Sequence, residues 1–168
     1  MKKYEFTGVT YGKLKQIKAL KTFYNVKAGD IGGLIESESN LSQEGSSWVF
    51  DKARVYGDAK VFGNATVKDK AQVYGKAQVY GDASVRGEAK VYDNAKVYGE
   101  SSVFGNARVH DKAKVYDMAE VSGNAVISDN AVIYQGAQID DKAQVYGNSK
   151  IGGNLYIFGD AKVNSRDS

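Results

Sequence analysis

From Val49 to Val163, every sixth residue is Val or Ile without a break. Few folds can use such a pattern. A period of six drifts around a helix of about 3.6 residues per turn, so an amphipathic helix is excluded. An up-and-down array of hairpins fails as well, because nothing would hold such short strands strictly in phase. With the aliphatic residue numbered one, nineteen full hexads run from Val49 to Lys162. Position five is Ala in sixteen of them, Ser in two (Ser101 and Ser149) and Leu in one (Leu155). Position three is Gly in eleven and Asp in seven, with Gln135 the exception.

Each unit reads as a short strand followed by a turn. The β-branched first residue suits a strand whose side chain points inward, and the small fifth residue fits a crowded corner. Gly or Asp at position three is turn chemistry, since both tolerate positive φ and Asp can bond nearby backbone. Winding three hexads into each coil lets every rung pair its backbone with the rungs above and below, at ~4.8 Å. The expected fold is therefore all-β: a parallel β-helix of about six coils, roughly 30 Å long. Its interior holds one Val or Ile and one Ala per hexad, which leaves no room for a ligand. Function must then sit on the outer faces or at the ends.

This pattern resembles the hexapeptide-repeat proteins, whose left-handed parallel β-helices use an aliphatic first and a small fifth position. The likeness covers residues 49–163. Many members carry Gly, Ala, Glu or Asp at position two, whereas this chain usually has Tyr or Phe there and Gly or Asp at position three. That variant is similar to an uncharacterised subgroup from phage and bacterial genomes, often labelled acyltransferases from the repeat alone. The resemblance implies the left hand, which runs against the usual crossover rule, and it implies a trimer packed side by side.

Residues 1–48 fall outside the repeat and are expected to form a β-rich N-terminal cap covering the first rung, a bare edge otherwise. Seven lysines against Glu5 alone give residues 1–27 a basic character, while residues 28–48 carry four acids and no base. A basic head that docks on an acidic partner is the competing reading. The β-helix is expected over residues 49–163, with a polar tail at 164–168. Leu155, Tyr156 and Phe158 are expected to plug the last rung.

Sorted by eighteen, position two makes three outward columns. One runs Phe62, Tyr80, Tyr98, Tyr116, Tyr134 and breaks at Gly152. A second runs Tyr56, Tyr74, Tyr92, His110, Ser128, Tyr146, and the third is mixed, from Phe50 to Phe158. Aromatic columns of this kind form patches larger than a monomer normally exposes, and tyrosine joins apolar area to a polar tip. They are the candidate binding and interface residues. The competing reading is a ladder that only braces neighbouring rungs.

The chemistry available is narrow. Without cysteine there is no thiolate nucleophile or metal site, and a single histidine excludes a centre needing several imidazoles from one chain. No cofactor, catalytic residue or metal ligand is therefore expected. Family acyltransferases use a histidine near a loop that interrupts the helix, yet no loop interrupts Val49–Val163, and His110 simply replaces Tyr in its column. A formal charge of +3 and rings already stacked at rung spacing argue against nucleic acid. No apolar run approaches the ~20 residues of a membrane span, so a cytoplasmic protein is expected.

The favoured reading is a non-catalytic scaffold, a trimer presenting aromatic faces or subunit clefts to a protein partner or small ligand. The alternatives are a phage-type protein that sequesters a host factor or nucleotide signal, and an acyl-coenzyme A-dependent transferase.

Overall fold

The computed structural model describes residues 1–165, and the end of the expected polar tail, residues 166–168, lies outside them. Among the described residues the chain forms a parallel β-solenoid with three sheets, of ten, seven and six strands. Most strands are two residues long and consist of positions six and one of a hexad, as in Lys96–Val97. Val97 pairs in parallel with Val79 on one side and Val115 on the other, so the register is one coil of eighteen residues. The period alone explains this. Each sheet gathers every third hexad, and its Val or Ile residues stack into an inward column that is fully buried from Val49 to Val145.

Position three adopts a left-handed conformation in all nineteen hexads, including the seven Asp residues and Gln135. In most of the non-glycine cases the side chain does a second job. Asp129, for example, accepts the N–H of Gly147 in the next coil at 2.9 Å, and Gln135 accepts that of Gly153 at 2.7 Å. An acceptor on a short stem thus satisfies a corner donor that the sheet ladder cannot reach. Asp93 makes no such bond to its neighbour one coil on.

Parallel pairing begins earlier than the hexads do. The strand Ile31–Ile35 pairs with Arg54–Val55, Leu41 bridges to Val61, and Trp48–Val49 pairs with Thr66–Val67. The first two of these pairings run twenty residues apart rather than eighteen, because the stretch from Leu41 to Val49 is two residues longer than its counterpart from Val61 to Val67. A 3-10 turn at Glu38–Asn40 forms the corner before it. Buried Asn40 keeps that turn saturated: its Nδ2 donates to Gly57 O and Ala59 O, and its Oδ1 accepts the Ser37 N–H. Residues 31–48, read from the sequence as part of a cap, thus form a further coil, and the solenoid has about seven.

Ahead of that coil, β1 (Tyr4–Tyr11) and β2 (Leu14–Ala19) make an antiparallel hairpin that extends the ten-stranded sheet through β3 (Ile31–Ile35). Its lysines are partly matched within the chain, Lys2 by Glu38 at 2.8 Å and Lys18 by Glu5 at 2.9 Å. Lys3 is buried, and its Nζ donates to Ser47 O at 2.9 Å. Burial, reinforced by Lys21, pulls its pKa down to about 8.

The other end departs from expectation. Leu155, Tyr156 and Phe158 do not plug the last coil but are each more than half exposed, at 55%, 53% and 57%. Leu155 lies outside the core cluster, whereas Ile157, Ala161 and Val163 at the same end pack against it. At the far end Lys162–Ser165 pairs with Gln144–Gly147, which takes Asn164 and Ser165 of the expected tail into the ten-stranded sheet. No helix among the described residues is long and apolar enough to cross a membrane.

Candidate functional site

Position two follows an inward residue, so its side chain points out, and consecutive coils bring those side chains to the spacing at which aromatic rings stack. Along the six-stranded sheet, Phe62, Tyr80, Tyr98, Tyr116 and Tyr134 form one ladder, with successive centroids 4.8, 4.8, 4.9 and 5.7 Å apart. Each ring covers its neighbour's face, which leaves only Phe62 exposed and the rest half-buried. What the ladder offers to a partner is therefore ring edges and hydroxyls. It ends at Gly152, where the Tyr134 ring leans into the space that a side chain would occupy and so departs from the even stacking of the rest.

Tyr56, Tyr74, Tyr92 and His110 form the second ladder, on the ten-stranded sheet, with centroids 5.0, 4.9 and 4.8 Å apart. Partial burial pushes the phenols of Tyr56, Tyr74 and Tyr92 above their ordinary pKa, and does the same to Tyr80 and Tyr98. These five phenols are thus uncharged at physiological pH. The nine residues picked from the sequence fall on two sheets and form two surfaces rather than one site. In the mixed column, Lys68 lies over Phe50 and Arg86 over Phe104, with the cation 5.1 and 4.1 Å from the ring centre.

His110 has closer company than the other ladder members. Its Nδ1 lies 2.9 Å from Asp111 Oδ2, a close contact that lacks the in-line geometry of a hydrogen bond. The same oxygen accepts the Asp129 N–H at 3.2 Å, so it is held in place. Asp93, the turn residue not engaged by the next coil, brings a third donor, and all three ligand atoms lie within 4.8 Å of one another. One imidazole and two carboxylates are a set that a borderline divalent ion accepts. They are also the components of an oriented base.

A groove missed by the sequence analysis runs along the corner where the seven-stranded sheet turns into the ten-stranded one. It has a volume of about 560 Å3 and is lined by position four (Lys52, Lys70, Glu88, Asn106, Asn124) and position six (Arg54, Gln72, Lys90, Arg108). At Lys52 and Arg54 it meets a second cavity, of about 640 Å3, walled by Tyr11, Ile31 and Leu34. Sorting positions four and six by eighteen, as was done for position two, would have revealed it. The same sorting shows a contrast. The corner from Ser46 to Tyr156 carries Asp82, Glu100 and Glu120 at these positions and no Lys or Arg, whereas the third corner carries six lysines and Asp58.

No family model matches the chain. Over 55 residues it is 42% identical to a protein named uncharacterized acetyltransferase YdcK of Escherichia coli (strain K12). That stretch is 32% of this chain and 17% of the relative, so the chain spans about one sixth of that protein's length. The unbroken hexads, the eighteen-residue register and this local likeness are together consistent with a repeat β-helix of the hexapeptide type.

Proposed function

We propose that the chain is a non-catalytic β-helical scaffold that assembles side by side with copies of itself, as a trimer, and presents preorganised faces to a partner. The observation that carries this reading is the ladder Phe62–Tyr80–Tyr98–Tyr116–Tyr134, a straight aromatic edge fixed on a core with no space for a substrate. A rigid surface of this kind binds with little ordering cost. Charge supports it too. Around a threefold axis each subunit offers one surface to its neighbour and receives a different one, so an acidic corner with Asp82, Glu100 and Glu120 can meet a basic corner with Lys96, Lys112 and Lys114.

Native mass spectrometry tests the assembly. The wild type is expected as a trimer and the variant Tyr98→Lys with Tyr116→Lys as a monomer with an unchanged circular dichroism spectrum. A monomeric wild type would end this reading, and a variant that stays trimeric would remove the ladder from the contact.

A second reading, an acyl-coenzyme A-dependent transferase, is favoured by the His110–Asp111 contact and by the name of the E. coli relative. With Nδ1 turned toward Asp111, Nε2 would face the acceptor as the base. The two readings part on one variant. As a transferase, His110→Ala loses at least about a hundredfold in acetyl transfer from acetyl-coenzyme A, in keeping with the size of general-base effects. As a scaffold, neither protein turns over the thioester and His110→Ala keeps the oligomer.

A further inference from the structure

We propose that the groove between positions four and six at the corner of the ten-stranded sheet binds a flexible chain of phosphoryl groups, an extended polyphosphate anion. The charge inventory points this way first. The one acid lining the groove, Glu88, is paired with Lys70 at 2.9 Å, which leaves Lys52, Arg54, Lys90 and Arg108 with no ion-pair partner among the described residues. The turn carboxylates nearby, Asp51 and Asp69, keep their charge but are held by backbone N–H groups of the next coil, at 3.3 and 2.8 Å, and form no ion pair with these cations. Two guanidinium forks and two ammonium groups then line a single channel, the donor set that phosphate oxygens fit best.

Shape gives the second argument. The lining residues come from five successive coils, so the channel runs for about 20 Å along the solenoid axis at rung spacing. A compact anion would reach only one or two of the four cations, whereas a chain reaches them all. The volume, about 560 Å3, lies in the range of ligand sites.

The neighbouring ladder narrows the class further. Nucleic-acid bases and sugar rings are held on open aromatic faces. Here Tyr74 and Tyr92 are stacked on both faces and Tyr56 on one, at 4.8–5.0 Å, which leaves the ladder no row of open faces for successive rings. An anion with neither bases nor sugars loses nothing by this. The channel also supplies mainly donors, which suits a ligand composed of acceptors.

Short-chain inorganic polyphosphate, titrated by calorimetry at low salt, is the probe. Binding is expected for the wild type, much weaker for orthophosphate, and falling steeply with added salt. The variant Arg54→Gln with Lys90→Gln and Arg108→Gln is expected to weaken it at least about tenfold while melting normally. A control that removes the same charge from exposed lysines outside the groove, Lys13→Gln with Lys76→Gln and Lys150→Gln, keeps most of the affinity. Equal losses in the two variants, or no binding by the wild type, would overturn the groove as the site. Oligothymidylate that binds as tightly as polyphosphate would overturn the class and point to nucleic acid instead.

Discussion

Val97→Asp is expected to abolish the single cooperative melting transition of this protein, while Lys96→Asp, one residue away, melts as the wild type does. Val97 is fully buried, in register with Val79 below and Val115 above in the six-stranded sheet. The core around it consists of aliphatic and alanine side chains apart from Ser101, whose hydroxyl already donates to Tyr98 O and Val115 O. A carboxylate there thus finds neither a counter-ion nor a free hydrogen-bond donor. Burying an unpaired charge costs several kcal/mol even after relaxation, which is comparable with the about 5–15 kcal/mol that holds a domain together. Position matters as well as size. A solenoid is a one-dimensional stack in which each coil is supported only by its neighbours. A defect in the middle therefore divides it into two shorter stacks, each less stable than the whole. Calorimetry or circular dichroism melts check this directly. A sharp transition within a few degrees of wild type for Val97→Asp would refute the inward assignment of position one, and with it the register.

The solenoid could be read from the sequence because its determinants are local and repeated. Val or Ile at position one, in nineteen hexads, and Ala at position five, in sixteen, state over and over which way the chain faces. The ladders followed from the same arithmetic, since eighteen residues per coil fixes which side chains are neighbours. What escaped notice was of two kinds. Residues 31–48 belong to the stack, with Ile35 paired to Val55 and Leu41 to Val61, but two additional residues break the period and hide the coil from any search in steps of six. The groove escaped because it needs two columns at once. Lys52, Lys90 and Arg108 each look like an ordinary solvated cation, and only the turn that brings position four beside position six makes them one wall. His110 illustrates the limit from the other side. The eighteen-residue register puts Asp93, Asp111 and Asp129 near its level, but only side-chain geometry shows that Asp111 comes within 2.9 Å of the imidazole while also holding the next coil, that Asp129 is engaged with Gly147, and that Asp93 makes no such bond.

Trp48→Ala is expected to destabilise the protein by about 3–5 kcal/mol, as removal of a large buried aromatic does elsewhere. Trp48 occupies position six, whose side chains otherwise point outward, yet it is only 1% exposed. The hairpin is the reason. Tyr4 and Phe23 meet its ring edge-to-face, with centroids 6.1 and 5.5 Å away, and Gly32 is bare because a Cβ would come within 2.7 Å of both Trp48 and Ile17. The indole is thus the pin by which β1 and β2 are held across the first coil, together with the Tyr4 hydroxyl donating to Leu41 O at 2.8 Å. Its loss leaves a cavity that the surrounding backbone cannot close, because β3 is tied on both sides by sheet hydrogen bonds. Hydrogen exchange should then show protection lost first in Tyr4–Tyr11 and Leu14–Ala19, and last in the central strands of the stack. Trp48→Phe, which keeps an aromatic edge in the site, should recover most of the stability. Unchanged melting and unchanged protection in Trp48→Ala would mean that the hairpin is held by its strand pairing alone. In that case the contact with β3, rather than the aromatic cluster, would be what seals the first coil.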